Sequence, residues 1–220
     1  MQFPNALEGV KKIYKAEIIA LIGGIVSVLA AILSLTGVAV VASGEDAGIL
    51  GILGGGALII VASVLAIITF IINIIGLNKA KADEDDFKFA LYAALMGVVI
   101  SVLLGFASSS KALSSLGSTV STICSFLSTY YVCTAVANLA GRLSDAEMNA
   151  RALSARRMLM IVYIAGIVMG LIANIIYWVS DSQTIVIVAS VLVLVAAILD
   201  VISYILYLKM LGRAKLSLER

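Results

Sequence analysis

Six apolar stretches constrain the fold of this chain more than any other feature of its sequence. A membrane-spanning helix needs about 20 mainly apolar residues, and each stretch reaches or approaches that length. The stretches comprise residues 18–42, 49–77, 89–106, 116–139, 158–179 and 184–210. A water-soluble domain would need a polar shell, but 62% of the residues are hydrophobic and only 13% are charged. We therefore predict an all-α, polytopic membrane protein with six transmembrane helices, forming a single integral membrane domain over residues 1–220.

The basic residues lie almost entirely on one side of the predicted membrane. All of the 15 Lys and Arg residues except Lys111 precede the first stretch, lie in the connections 78–88 and 140–157, or lie at and after the end of the sixth, including the tail 211–220. Lys and Arg concentrate in cytoplasmic loops, so both termini are predicted to be cytoplasmic. We expect a bacterial cytoplasmic membrane, although the same rule would suit the endoplasmic reticulum.

A short motif recurs at the ends of the second, fourth and sixth stretches. "NIIGLNKAK" begins at Asn73, "NLAGRLSDA" at Asn138 and "KMLGRAKLS" at Lys209. The recurrence predicts three tandem two-helix hairpins of about 70 residues, 18–77, 89–139 and 158–210, as in transporters built from parallel repeats. Asn73, Asn138 and Lys209 are either ordinary polar helix ends or a ring of polar groups at one depth near the cytoplasmic mouth.

Three segments outside the stretches carry a pattern of their own. Residues 1–17 space their apolar side chains like an amphipathic helix lying at the membrane interface. The acidic run at 83–86 lacks the ligand spacing of a calcium-binding loop, and is read as a solvated turn that caps the following helix. Ser144 and Glu147 predict a capping box that starts a helix leading into the fifth stretch.

Basic and small residues predict contacts with lipid and between helices. Arg151, Arg156 and Arg157 are expected at lipid headgroups, with a surface for a partner protein as the alternative. Gly48, Gly51 and Gly55 are spaced to form a flat helix face for close packing.

Asp200 is the outstanding ionisable residue within the apolar stretches. A carboxylate near the bilayer centre costs at least about 2.5 kcal/mol, so Asp200 marks a candidate intramembrane polar site. Ser203 and Tyr204 lie one turn further along the same helix, and the repeat places Thr129 and Tyr130 at the same depth. The alternative is an Asp that only ties helices together. Glu17, close to the basic N-terminal segment, is expected to form an interfacial ion pair.

The residues missing from the sequence narrow the classes of function. There is no His, and the two Cys residues, Cys124 and Cys133, lie within one apolar stretch. We therefore predict no catalytic residues, metal site or cofactor, and the net charge of +2 favours no nucleic-acid partner. Membrane lipids are the expected partners, with a second copy of the chain or another membrane protein as further candidates. The sequence favours a non-enzymatic accessory or scaffold subunit, with a solute transporter or channel component around Asp200 as the alternative.

Overall fold

The computed structural model describes the backbone of residues 2–42, 47–106, 111–179 and 183–219. It describes the side chains of residues 2–34, 51–103, 120–166 and 201–219, together with those of residues 36, 37, 49, 168 and 199. The structural statements below concern these residues.

The described chain is all-α, as predicted. Its six helices are α1 (Pro4–Ala42), α2 (Ala47–Ala80), α3 (Asp86–Phe106), α4 (Lys111–Arg142), α5 (Ala146–Val179) and α6 (Gln183–Leu218). Four of them contain a stretch long and apolar enough to cross a membrane: Pro4–Ser34, Gly51–Ala80, Asp86–Leu103 and Val120–Arg142. These four helices indicate a membrane protein. The predicted fifth and sixth spans fall largely on side chains outside the described set and stay predictions.

The helices pack mainly against their neighbours in sequence. α1 packs on α2, α3 on α4 and α5 on α6. Contacts of α2 with α3, of α4 with α5 and of α1 with α6 join the pairs, so each pair touches both of the others. Whether the pairs are copies of one repeat stays a prediction.

Several helices continue well beyond the predicted spans and meet at one end of the bundle. α1 begins at Pro4, α5 begins at Ala146, and α6 runs on to Leu218. We call this meeting point the closed end, comprising residues 3–17, 74–94, 128–162 and 203–219. The largest fully buried side chains there include Phe87, Ile13, Leu77, Leu139, Met148 and Met210.

The N-terminal segment takes part in this core. Residues 4–17 are continuous with the first predicted span in one helix, and Leu7, Val10 and Ile13 on their apolar face are buried among the other helix ends. The predicted position of residues 1–17 at a lipid interface is not tested by these contacts and stays a prediction.

Away from the closed end, large apolar side chains face outward. Ile25 and Val28 of α1, Ile60 and Ile67 of α2, and Leu103 of α3 are more than half exposed. A water-soluble protein would bury such continuous apolar faces, whereas helices in a bilayer present them to lipid.

Close packing of α1 on α2 depends on glycine. A Cβ atom on Gly76 would lie 2.9 Å from the carbonyl oxygen of Gly9, and one on Gly55 would lie 2.9 Å from that of Ala30. The predicted close packing is thus confirmed at Gly55, and also at Gly51, where a Cβ atom would lie 2.9 Å from Gly37 Cα. The surroundings of Gly48 lie outside the described residues.

Candidate functional site

The predicted polar site around Asp200 lies partly within the described residues. The backbone of Asp200 lies in α6, but its side chain is outside the described residues. Ser203, three residues further on, is buried. In α4, the Thr129 hydroxyl donates to the backbone carbonyl of Ser125 at 3.1 Å, which is the usual way for a threonine to satisfy its hydroxyl within a helix. Tyr130 packs against Phe126 with 6.0 Å between ring centres.

Glu17 is paired differently from the sequence expectation. The Tyr204 hydroxyl of α6 lies 2.7 Å from the Glu17 backbone carbonyl and 2.9 Å from Glu17 Oε2. Among the described ion pairs, none includes Glu17. The predicted interfacial ion pair is therefore replaced by a bond between α1 and α6, whose partners are 187 residues apart. No local pattern could have indicated it.

The three repeated polar residues have different surroundings. Asn73 Oδ1 is buried and accepts no hydrogen bond from the described residues. Asn138 Nδ2 donates to Glu84 Oε1 at 3.3 Å and to Asp86 Oδ2 at 2.7 Å. Lys209 is exposed. The described contacts do not bring these three together, and a functional ring of these residues stays a prediction.

The acidic turn between α2 and α3 is bonded to the start of α1, in addition to the predicted exposure to solvent and capping of α3. Asp83 Oδ2 accepts from the backbone N–H of Ala6 at 2.7 Å, and Asp83 Oδ1 accepts from Asn5 Nδ2 at 3.0 Å. The first N–H groups of a helix lack partners within it, so Asp83 caps α1 from another part of the chain. Glu84 is also largely buried. Asp86, in the first turn of α3, takes the predicted place where the helix dipole favours a negative charge.

Arg142, at the end of α4, contacts both this turn and the residue that precedes α1. Its Nη1 donates to the Asp83 carbonyl at 3.1 Å, and its Nη2 lies 3.3 Å from Glu84 Oε2. The guanidinium carbon also lies 5.8 Å from the ring centre of Phe3, close enough for a cation–π contact. Arg142 thereby joins α4, the α2–α3 turn and the start of α1.

The turn between α4 and α5 corrects the predicted capping box. Ser144 has a φ of 54°, and its N–H donates to Gly141 O while that of Asp145 donates to Ala140 O. These two bonds and the left-handed residue Ser144 form a Schellman motif, which ends α4 after Arg142. The N-cap of α5 is Asp145, whose Oδ1 accepts from the Met148 N–H at 2.9 Å.

Asp145 also connects this turn to the end of α6. Its Oδ2 accepts from the Ser217 hydroxyl at 2.6 Å and from Arg213 Nη2 at 3.4 Å. Arg213 Nη2 is shared with Glu147 Oε2 at 3.0 Å. The bond from the Met148 N–H, followed by that from Ser217, holds the pKa of Asp145 below its ordinary value.

An open groove of about 630 Å³ lies between α4, α5 and the acidic turn. Its polar and small lining residues are Glu84, Asn138, Gly141, Arg142, Asn149 and Arg156. Of the predicted headgroup residues, Arg151 pairs with Glu147 at 2.8 Å and Arg157 is exposed, so Arg156 is the member of the three that lines the groove. Among the described residues, no three side chains of His, Cys, Asp or Glu lie close enough together to hold a metal ion.

The chain was compared with known protein families, curated proteins and solved structures. No protein-family model, curated protein or solved structure matches the chain.

Proposed function

We propose that this chain is a non-enzymatic, multi-pass membrane protein that acts as an accessory or scaffold subunit through helix packing. In this proposal all six helices cross the membrane as three hairpins, and the closed end with both termini is cytoplasmic. Four helices of sufficient length and apolarity support the membrane assignment. The bacterial cytoplasmic membrane remains the proposed location.

One observation carries the scaffold proposal: polar residues at the closed end are bonded to residues of other helices. Asp83 caps α1, Arg142 pairs with Glu84, and Asp145 binds Ser217. Further ion pairs join Lys79 to Glu8 and Lys11 to Glu219, the latter at 2.9 Å. These contacts hold the helix ends together at the closed end, while apolar helix faces remain exposed along the rest of the bundle. Such an arrangement suits a subunit that presents those faces to another membrane protein or to a second copy of the chain.

Site-specific photo-crosslinking in the protein's own membrane tests this proposal. A photoreactive amino acid would replace Ile60 of α2, which is 67% exposed, or the fully buried Ile13 as the control. Scanning the exposed positions of α2 and α3 in this way should give adducts of one defined mass on one helix face. Adducts at no exposed position, together with a monomeric mass in lipid nanodiscs, would contradict the scaffold function.

A transporter or channel component with a polar site around Asp200 is the second candidate. The observation favouring it is the Glu17–Tyr204 bond, because it places a carboxylate beside a phenol at the inner edge of the predicted membrane region. Asp200 precedes Tyr204 by one turn of α6. Ionisable residues within spans often mark ion pathways.

An Asp200→Asn variant in proteoliposomes separates the two candidates. Flux would be measured with a trapped pH-sensitive dye under a K⁺ diffusion potential, and assembly by mass in nanodiscs. Lost flux with unchanged assembly would favour transport. Lost assembly, with no flux in either form, would favour the scaffold.

A further inference from the structure

Arg156 is the cation of the α4–α5 groove that no described carboxylate neutralises. The other groove arginine, Arg142, is engaged by Glu84 Oε2 at 3.3 Å and by the Asp83 carbonyl. Among the described residues, Arg156 forms no ion pair, and its Nε is buried without an acceptor. A buried N–H donor without a partner is costly. A guanidinium that has no anionic partner is suited to bind an anion with oxygen atoms.

The same guanidinium is held in place by an aromatic ring. Its central carbon lies 5.8 Å from the centre of the Tyr130 ring, and Tyr130 packs in turn against Tyr131 with 5.8 Å between ring centres. An arginine stacked in this way loses less conformational entropy when it binds a ligand than a free surface arginine.

The groove also has the depth and lining expected for a lipid headgroup. It lies at the end of the apolar stretch Val120–Arg142 and just before the predicted fifth span at residue 158. Ala137 and Leu153 give it an apolar part, while Asn149 adds a side-chain amide. Glu84 also lines the groove, but its charge is partly neutralised by the ion pair with Arg142 at 3.3 Å, and its Oε1 accepts from Asn138.

We propose that this groove binds a phosphate group, with the Arg156 guanidinium as its principal ligand and the Asn149 amide beside it. A planar guanidinium matches two phosphate oxygens with parallel hydrogen bonds. At the depth of the headgroups, the phosphate is that of a phospholipid; a soluble phosphate would use the same chemistry. The site is independent of the scaffold function and would serve a transporter equally.

Native mass spectrometry of the full chain in neutral detergent, titrated with phosphatidic acid, tests the site. Arg156→Gln should weaken binding about tenfold or more, as expected for losing a hydrogen bond to a charged group. Arg157→Gln is the matched control, because it removes the same charge from an exposed neighbour that does not line the groove, and it should leave binding unchanged. Diacylglycerol with identical acyl chains lacks the phosphate and should not bind.

A second variant blocks the groove without removing a charge. A Cβ atom on Gly141 would meet no atom within 4 Å, so Gly141→Leu fills the groove while both arginines remain, and it should also abolish binding. Displacement of lipid by inorganic phosphate, in the wild type but not in Arg156→Gln, would extend the same site to soluble phosphates. Equal losses in the Arg156 and Arg157 variants, or equal binding of diacylglycerol, would overturn the proposal.

Discussion

Replacing Asp145 with alanine should separate the start of α5 from the end of α6. The substitution removes the N-cap acceptor of the Met148 N–H, which is worth about 1 kcal/mol. It also removes the charged acceptor of the Ser217 hydroxyl, which is worth about 1.5–3 kcal/mol. Arg213 retains Glu147, so the lost ion pair adds little. We expect a loss of about 2.5–4 kcal/mol in the free energy of unfolding.

Reversible unfolding in mixed detergent micelles, followed by circular dichroism, measures this difference. Asp145→Asn is the matched control, because asparagine caps a helix about as well as aspartate but offers Ser217 a neutral acceptor. It should lose about half as much stability as Asp145→Ala. An alanine variant within about 0.5 kcal/mol of the wild type, the size of an ordinary surface substitution, would refute the reasoning.

The difference in stability between the wild type and Asp145→Ala should depend on pH with a defined sign. The bonds from Met148 and Ser217 lower the pKa of Asp145 in the folded state. Its contribution is therefore fully present above the unfolded pKa of about 3.9 and is lost as the pH falls through the lower folded value. The stability gap between wild type and Asp145→Ala should be constant from about pH 5 to 8 and shrink below about pH 4. A gap that widens on acidification would contradict this assignment.

Further substitutions test three other contacts by the same unfolding assay. Ser144→Gly should stabilise the chain by about 0.5–1 kcal/mol because glycine adopts the φ of 54° without strain, and Ser144→Val should destabilise it; the reverse order would exclude the left-handed turn. Gly76→Val should cost about 1–3 kcal/mol by forcing α1 and α2 apart, whereas Gly24→Ala, in open space, should cost nothing. Tyr204→Phe should cost about 1.5–3 kcal/mol by leaving Glu17 without its donor, and an unchanged midpoint would show that this bond is absent.

The sequence predicts where helices exist better than where they end. Each apolar stretch coincides with a helix, but α5 begins at Ala146, although its predicted span begins at residue 158. Hydropathy reports which residues tolerate lipid, whereas a helix ends where capping groups satisfy its backbone. In the α4–α5 turn, Ser144 and Asp145 are both good N-caps by residue type. The choice between them depends on Arg213 and Ser217, which lie about 70 residues away along the chain.

The groove illustrates the same limit. The position of Arg156 near a span predicts a place at the lipid headgroups, and nothing in the local sequence distinguishes it from Arg151 and Arg157. The three arginines differ in their partners. Arg151 pairs with Glu147, which lies four residues before it in the same helix, whereas the Arg156 guanidinium lies over the ring of Tyr130 from another helix. Similarly, the sequence shows Glu84 as one of four adjacent acidic residues. Its contacts with Asn138 and Arg142 are made by a helix more than 50 residues away along the chain.

The bond between Glu17 and Tyr204 has a consequence for biogenesis. Its two partners are separated by 187 residues, so the ribosome must have passed residue 204 before the bond can form. Throughout that interval the Glu17 carboxylate, which lies just before the first predicted span, lacks its phenolic donor and depends on water for hydrogen bonds. The contact between α1 and α6 can therefore form only after the other helices of the closed end have been synthesised.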